Sequence, residues 1–458
     1  MAEELKKALE SDDNVTLILN GATLNYNEET GKNAIIVRGD TVLNIEDGVV
    51  SGGTITAGDA EGTRVITVVS GGKVNLTGDV TITGGNANST SVSGGGGVFV
   101  GENSEFNMSN GSITGNQTTG NGGGVLVEGG KFNMTGGTIS GNTAAVDGGG
   151  IAVSGYNDQG TAKPNRGELN MSGGTISGNN ANYEDWSNAG KPNEEPTGQG
   201  GGVYVDIGAD FNLSGGTISG NKAGEGGGIF VEHSKTTANG YVKDPGKLNM
   251  TGGTVDGNTA TLGEGGGIYI QGKGEISGGR ITNNVTYTTK DLGGGGIYIE
   301  ADGSLTLTNA IVTSNTANGL GGGLSACVHG QTIVYVKDGA AIYGNTSLGS
   351  GHTAGHGGNG DKIDGYSMWA ANEIFKEFAQ DVFTAGDATQ SNSQGTAGII
   401  IGNEMLGGGD ANWEGYTFCY ATDPKTGELQ KDPDGNYILE LNKVEQTDNG
   451  PVFGNRMV

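Results

Sequence analysis

The residues from Gly122 to Asn142 read GGGVLVEGGKFNMTGGTISGN, and much of the chain repeats this segment. Within each copy, apolar residues alternate with polar residues or glycine, which is the period of two that indicates β-strands. Glycines interrupt the apolar runs and permit the positive φ angles of tight bends. One copy is therefore predicted to form three short strands, which together make one coil of a solenoid.

The repeat length follows from the apolar residue after each run of glycines. These residues are Val98, Val125, Ile151, Val203, Ile229, Ile268, Ile297 and Leu324. Their spacing is about 26 residues with insertions, which lies in the range of stacked repeat architectures. A single coil holds too few apolar side chains to offset the entropy of ordering its backbone. The coils must therefore stack, and both ends of the stack need caps.

We expect an all-β fold, namely a single-stranded parallel β-helix with three strands in each coil and about 11 coils. Its predicted hand is right-handed, because parallel connections almost always have that chirality. Residues 1–14 are predicted to form a short helical N-terminal cap and residues 15–360 the β-helix. Residues 361–458 are assigned to a mixed C-terminal cap or small appended region, with a helix and a β-hairpin that joins residues 416–420 to residues 437–441.

Charge and cysteine content limit the partners and the location. The net charge of -27 argues against nucleic acid and anionic membranes as partners. Cys327 and Cys419 are the two cysteines, so disulfides are not the main support, and a bond between these two stays open. The segment has neither a signal-peptide core nor an apolar run of membrane-helix length, so no membrane insertion is expected. We expect an extracellular or cell-surface segment whose signal and anchor lie outside it; a cytoplasmic protein is the alternative.

The repeat also resembles a known pattern. Ile139-Ser140-Gly141-Asn142, followed by Gly148-Gly149-Gly150-Ile151, is similar to the FxxN and GGA[IL] motifs of chlamydial polymorphic outer-membrane proteins and related adhesin-like β-helix proteins. It is also similar to the wider pectin-lyase-like superfamily. The resemblance recurs coil by coil over roughly residues 90–350, with Ile in place of Phe and Gly in place of Ala. It implies surface adhesion or binding and specifies no ligand.

Four successive coils place an aromatic residue at the middle of the first strand, where the period of two points it outward. These residues are Tyr204, Phe230, Tyr269 and Tyr298. Gln271 and Glu300 lie two residues further along their strands, and Trp186 lies in a flanking insertion. Exposed rings beside acids and an amide are typical of surfaces that stack on sugars and bind their hydroxyl groups. The alternative is that the rings pack beneath the insertions.

Asp206 and Glu232 should lie on neighbouring coils roughly 5 Å apart, because strands in a sheet have that separation. Retaining glycosidases place their two carboxylates at a similar distance. A glycoside hydrolase that uses these residues is therefore the alternative to a noncatalytic protein. These acids could also be a solvent-exposed row without a catalytic role, and Ca²⁺ could neutralise their charge. We expect no other cofactor or metal site.

Two asparagine rows are assigned structural roles. The first ends each third strand, where asparagine tolerates a left-handed turn and can bond to the same residue one coil away. It comprises Asn116, Asn142, Asn179, Asn221, Asn258, Asn284, Asn315 and Asn345. The second points outward from the second strand and comprises Asn107, Asn133, Asn170, Asn212 and Asn249.

The sequence thus favours a noncatalytic, adhesin-like β-helix segment of a bacterial surface or secreted protein. Its expected ligand is a glycan, slightly preferred over a protein of a host or neighbouring cell surface. A glycoside hydrolase and a structural spacer remain the alternatives.

Overall fold

The structure of the protein is a computed structural model. It describes residues 2–26, 33–88, 94–155, 165–181, 198–236, 242–288, 293–301, 303–319, 321–326, 333–337 and 340–348, followed by separate strands between residues 382 and 452. Trp186 and Cys327 lie outside the described residues, as does most of the helix expected after residue 361.

A helix at Ala2–Ser11 precedes the first strand, as the sequence predicts. Leu5 is buried in the core, and Ala8 and Leu9 pack against the same core. The helix ends where the Ser11 hydroxyl donates a hydrogen bond of 2.9 Å to the Lys7 carbonyl oxygen. The apolar side of the helix therefore covers the open end of the first coil.

Three long sheets run the length of the solenoid, and every strand pair within them is parallel. Sheet 1 comprises Ile35–Arg38, Ile66–Val69, Val98–Val100, Val125–Glu128, Ile151–Ser154, Val203–Val205, Ile229–Val231, Ile268–Ile270, Ile297–Ile299, Leu324–Ala326 and Val382–Thr384. Sheet 2 comprises Asn14–Ile18, Val42–Glu46, Lys73–Leu76, Glu105–Met108, Lys131–Met134, Gly167–Met171, Ala209–Leu213, Lys247–Met250, Lys273–Ile276, Ser304–Thr308, Ile333–Lys337 and Gly398–Ile401. Sheet 3 comprises Thr23–Asn25, Thr54–Thr56, Thr81–Thr83, Ser112–Thr114, Thr138–Ser140, Thr175–Ser177, Thr217–Ser219, Thr254–Asp256, Arg280–Thr282, Ile311–Thr313 and Ala341–Tyr343. The prediction of a parallel β-helix is confirmed.

A fourth parallel sheet, sheet 4, adds to the three strands predicted for each coil. Its strands have two residues each: Asn86–Ala87, Gln117–Thr118, Thr143–Ala144, Asn180–Ala181, Lys222–Ala223, Thr259–Ala260, Val285–Thr286, Thr316–Ala317 and Thr346–Ser347. Two residues are too few to show a period of two, so the sequence pattern does not reveal this sheet.

The repeat positions are in register from coil to coil, so like side chains stack in the interior. Phe106 pairs with Phe132, and their ring centroids lie 5.5 Å apart. Most strands of sheets 2 and 3 alternate buried and less buried residues, as Lys131–Met134 and Thr138–Ser140 show. The predicted inward ladders therefore form the core.

The GGG triplets make the turn into sheet 1, and Gly200 shows why the first glycine is needed. Its φ is +66°, and an added Cβ would lie 2.4 Å from the Val203 carbonyl oxygen. Both the left-handed backbone and the close approach exclude a side chain there.

The first asparagine row, which we call the inner ladder, joins sheet 3 to sheet 4 and is buried. The Asn221 Nδ2 donates 2.9 Å to Asn258 Oδ1 and 3.0 Å to the Ile176 carbonyl oxygen, and Asn179 donates in the same way to Asn221. Because a buried polar turn must satisfy its hydrogen bonds, these amides hold the corner between adjacent coils. The predicted structural role is confirmed.

Beyond residue 360, the described strands fall into two kinds. Val382–Thr384 and Gly398–Ile401 continue sheets 1 and 2 in parallel, past the boundary expected for the β-helix. Tyr416–Tyr420 and Leu439–Lys443 form an antiparallel pair, and Glu445–Thr447 pairs antiparallel with Gly450–Val452. The first of these pairs joins the segments expected to form a hairpin, with the second strand displaced by two residues.

Candidate functional site

The ring row, made of Tyr204, Phe230, Tyr269 and Tyr298, lies on the outward side of sheet 1. The expectation that these rings are exposed is wrong, since their exposed fractions lie between 0 and 6%. They form a second apolar cluster with Ala152, separate from the interior core. The rings are buried packing residues on the outward side of the sheet. That the insertions cover them stays a prediction.

The rings stack along the axis of the solenoid because strand pairing places them on successive coils. Phe230 and Tyr269 are nearly parallel, with centroids 4.7 Å apart and planes at 17°. Tyr204 lies 5.7 Å from Phe230, and Tyr298 lies 4.9 Å from Tyr269. Such contacts add to the free energy gained from burying the rings.

Each strand of sheet 1 that carries a residue of the ring row is followed directly by a polar residue. These residues form a partly exposed row beside the rings, which we call the acidic rim. It comprises Asp206, Glu232, Gln271 and Glu300. The Tyr204 hydroxyl donates 2.9 Å to Glu232 Oε2, and the Tyr269 hydroxyl donates 2.7 Å to Glu300 Oε2. The Tyr298 hydroxyl donates 3.3 Å to the same Glu300 oxygen. The buried tyrosines therefore fix the orientation of the rim carboxylates.

Asp206 and Glu232 lie on adjacent coils, as predicted, because they follow the paired residues Val205 and Val231. The Asp206 Oδ1 accepts a hydrogen bond of 2.7 Å from the Ile207 backbone N–H. Glu232 Oε1 contacts His233 Nδ1, and the same His233 nitrogen lies 3.0 Å from Gln271 Oε1. His233 thus links the rim residues Glu232 and Gln271 on two neighbouring coils.

A second set of acids precedes the GGG triplets and lies on the opposite side of the ring row. It comprises Asp147, Glu225 and Glu264, with Gln199 at the same position in the coil between the first two. Gln199 Nε2 donates 3.0 Å to Glu225 Oε2. We did not identify this row from the sequence, although an acid before GGG in three copies is a visible signal.

Asp147 in this set has an altered acidity. Burial raises its pKa to about 7, and the negative charges of Asp206, Glu232 and Glu225 add to the effect. The Gln199 backbone N–H donates 2.9 Å to Asp147 Oδ1 and opposes the rise in pKa. The pKa values of Tyr204 and Tyr269 are also raised, mainly by burial, so both remain hydrogen-bond donors at neutral pH.

Within the described part of the chain, no group of three or more His, Cys, Asp or Glu side chains is placed to hold a metal ion. The calcium ion considered for the acidic row stays a prediction. None of the described helices is long and apolar enough to span a membrane.

Comparison of the chain with protein-family models, with curated proteins and with solved structures gives no match in any of the three. The fold and the arrangement of the ring row and its two acidic borders are therefore the basis for inferring function.

Proposed function

We propose that this chain is a noncatalytic, adhesin-like β-helix segment of a surface or secreted protein, and that its acidic rim binds a glycan. The observation that supports the proposal best is the pair of tyrosine hydroxyls that donate to Glu232 and Glu300. A carboxylate held in one orientation loses little entropy when it accepts a hydrogen bond from a sugar hydroxyl. The tyrosines then act as positioning residues, and not as the stacking surface first expected.

The partly exposed amide of Gln271 and the exposed imidazole of His233 extend the hydrogen-bonding capacity of the rim. A surface with carboxylate, amide and imidazole groups can accept from and donate to the hydroxyl groups of an uncharged sugar. A polyanionic glycan would be repelled by these acids and by the net charge of -27. We therefore expect neutral or cationic sugars as ligands.

The test is a glycan array probed with the wild-type chain and two variants. Glu300→Gln should weaken binding by about tenfold or more, because it replaces a charged acceptor. Tyr269→Phe should weaken it by a few-fold, because the ring stays buried and only the positioning hydroxyl is lost. Glu275→Gln makes the same charge change on the outward side of sheet 2 and serves as the matched control. No binding by the wild type, or equal loss in the control, would contradict the proposal and favour a spacer or a protein ligand.

A glycoside hydrolase that uses Asp206 and Glu232 is the second candidate, because these acids lie on adjacent coils. Asp147, which interacts electrostatically with both, adds an acid with a raised pKa. An enzyme of this type needs one protonated and one ionised carboxyl group near neutral pH. Asp147, whose pKa is about 7, would supply the proton, and Asp206 or Glu232 would act as the nucleophile. Mass spectrometry of each bound glycan decides between the candidates. Cleavage by the wild type that disappears in both Asp206→Asn and Asp147→Asn would favour the enzyme, whereas intact glycans favour the noncatalytic protein.

A further inference from the structure

The outward side of sheet 3 carries only hydroxyl side chains over six successive coils, and we call this surface the hydroxyl array. Its residues are Thr54, Thr56, Thr81, Thr83, Ser112, Thr114, Thr138, Ser140, Thr175, Ser177, Thr217 and Ser219. Strand pairing places them in two rows along the axis of the solenoid, with one residue of each row in every coil. All of them are partly exposed.

The other two long sheets carry charged groups on their outward sides. Sheet 1 carries the acidic rim. Sheet 2 carries ion pairs such as Lys131–Glu168, at 2.8 Å, beside asparagines whose amides bond from coil to coil. We call these asparagines the outer asparagine row, which comprises Asn44, Asn75, Asn107, Asn133, Asn170, Asn212 and Asn249. The hydroxyl array is therefore an uncharged surface in a protein whose net charge is -27.

The array is regular because the residue between its two rows is the same in every coil. It is a fully buried isoleucine, namely Ile55, Ile82, Ile113, Ile139, Ile176 and Ile218. Identical buried side chains in unbroken register hold the six strands in equivalent positions over the core. Threonine is also stiff about χ1, so its hydroxyl and methyl groups lose little freedom when a ligand binds.

The hydroxyl groups of the array keep hydrogen-bonding positions, and glycines leave its border open. A hydroxyl group has one donor and two acceptor positions. Thr81 Oγ1 and Ser112 Oγ lie 3.1 Å apart, and that contact uses one position of each. Gly141, Gly178 and Gly220 each follow a strand of the array directly. At Gly178 and Gly220 an added Cβ would meet no atom within 4 Å, so no side chain overhangs the array there.

The size and form of the array argue against a protein or a small molecule as its ligand. Six short strands cover roughly 30 Å by 10 Å, which is well below the ~800 Å² per partner of a stable protein interface. The array also contains no aromatic or arginine side chain, which are the usual anchors of such interfaces. Small-molecule sites are concave, whereas the array lies on the open side of a sheet.

A crystal surface can match the array in two directions at once. The hydroxyl groups recur at about 4.8 Å from coil to coil and at about 6.7 Å from one row to the other. Water molecules at the surface of ice also repeat in two dimensions, with spacings close to both distances. Charged groups are costly to separate from their hydration water, so a surface that joins an ice lattice must lack them. The coil spacing is common to the three long sheets, but the two uncharged hydroxyl rows belong to sheet 3.

From the two hydroxyl rows, their register and the lack of charge in the array, we infer that the outward side of sheet 3 binds ice. The site lies on a different sheet from the acidic rim and does not rest on the proposed function. Asp256 and Arg280 end the array at its C-terminal side, where each takes the place of a hydroxyl residue.

The experiment measures how much of the labelled full chain enters a slowly growing ice crystal, and the gap between the melting and freezing temperatures of its solution. The wild type should enter the ice and open a gap, whereas a non-binding reference protein is excluded. Thr175→Tyr places a bulky ring in the array and Ser177→Lys places a charge there, so both should be excluded like the reference protein. The matched controls are Thr306→Tyr and Thr306→Lys, at a partly exposed outward position of sheet 2, and they should enter the ice like the wild type.

A further variant extends the array. Asp256→Thr with Arg280→Thr continues both rows over two more coils, because Thr254 and Thr282 are already in place, and it should widen the gap. Circular dichroism and thermal unfolding show which variants are folded; Ser177→Lys, which adds no bulky ring, carries the test if Thr175→Tyr is not. Exclusion of the wild type from ice, equal losses in the array and control variants, or an unchanged gap in the extended variant would overturn the inference.

Discussion

The outward sides of sheets 1 and 2 occupy the same place in the strand period, yet they differ in burial. On sheet 1 the outward residues of four successive coils are rings that are at most 6% exposed. On sheet 2 the outward residues are asparagines that remain partly exposed. The period of two therefore determines the side of the sheet to which a residue points. It does not determine whether that side faces solvent.

The strands themselves show this difference. Val203–Val205, Ile229–Val231 and Ile268–Ile270 are buried at every residue, whereas Lys131–Met134 alternates. Parallel strands that are covered on both sides have continuous apolar sequences, and VYV, IFV and IYI are such sequences. The polar contacts follow the same division. On sheet 1 the buried tyrosines donate to Glu232 and Glu300, and on sheet 2 the outward amides bond to one another from coil to coil.

The largest effect should come from truncating a ring of sheet 1. Phe230→Ala removes a fully buried side chain that stacks between Tyr204 and Tyr269. We expect a loss of about 3 to 5 kcal/mol in the free energy of unfolding, as for other large core truncations. Urea denaturation followed by circular dichroism measures it. A loss below about 1 kcal/mol would mean that the ring row is not a core and would remove the contrast with sheet 2.

Much of the fold could be predicted from the sequence, because the repeat imposes the same pattern on every coil. The stacked positions, the helical cap with Leu5 and the inner ladder with Asn221 all follow from local patterns. The two-residue strands of sheet 4, such as Thr143–Ala144, could not be predicted, because they are too short to show a period of two.

The candidate site was predicted less completely. Strand register places Asp206 and Glu232 on adjacent coils, so the sequence was sufficient for that. Burial of the rings depends on what packs over sheet 1, and the period of two contains no such information. The position of Asp147 across the ring row depends on the turn through the GGG triplet, which brings residues before and after the strand to one face.

The next largest effect should come from the inner ladder, and it tests whether burial, and not the asparagine side chain itself, determines the contribution to stability. Asn221→Ala in the inner ladder leaves the Ile176 carbonyl oxygen and the Asn179 backbone N–H without their partners inside the protein. Each buried unsatisfied group costs about 1 to 3 kcal/mol, so we expect a loss of about 3 kcal/mol in the free energy of unfolding. Thermal and urea unfolding measure it, and Asn221→Asp provides a variant of similar shape. A loss equal to that of an outer asparagine would show that burial is not what distinguishes the two rows.

A smaller effect on stability should come from the ionisation of Asp147 as the pH rises. It tests whether the surroundings of the ring row have a low dielectric constant. Asp147 keeps its proton in the native state up to a pKa of about 7, whereas an unfolded carboxyl releases it near 3.8. Its contribution to stability is therefore complete below about pH 3.8 and is lost as the pH rises through 7. Between pH 5 and 7 the loss should be about 2 kcal/mol.

The measurement is the free energy of unfolding of the wild type and Asp147→Asn at several pH values. The asparagine resembles the protonated acid, so the variant should lack this part of the decline and be the more stable protein at pH 8. Parallel curves for the two proteins would show that Asp147 is ionised and solvated. The outward side of sheet 1 would then resemble the solvent-exposed side of sheet 2.

The smallest effect should come from the outer asparagine row. Asn212→Ala removes two amide contacts of 2.8 Å, one to Asn170 and one from Asn249. Because these groups are partly exposed, water replaces the lost partners, and we expect a loss of about 0.5 to 1 kcal/mol in the free energy of unfolding. Urea denaturation beside Asn221→Ala gives the contrast directly. A loss as large as that of the buried asparagine would mean that the outer row is needed to hold the coils together, and the contrast between the two asparagine rows would disappear.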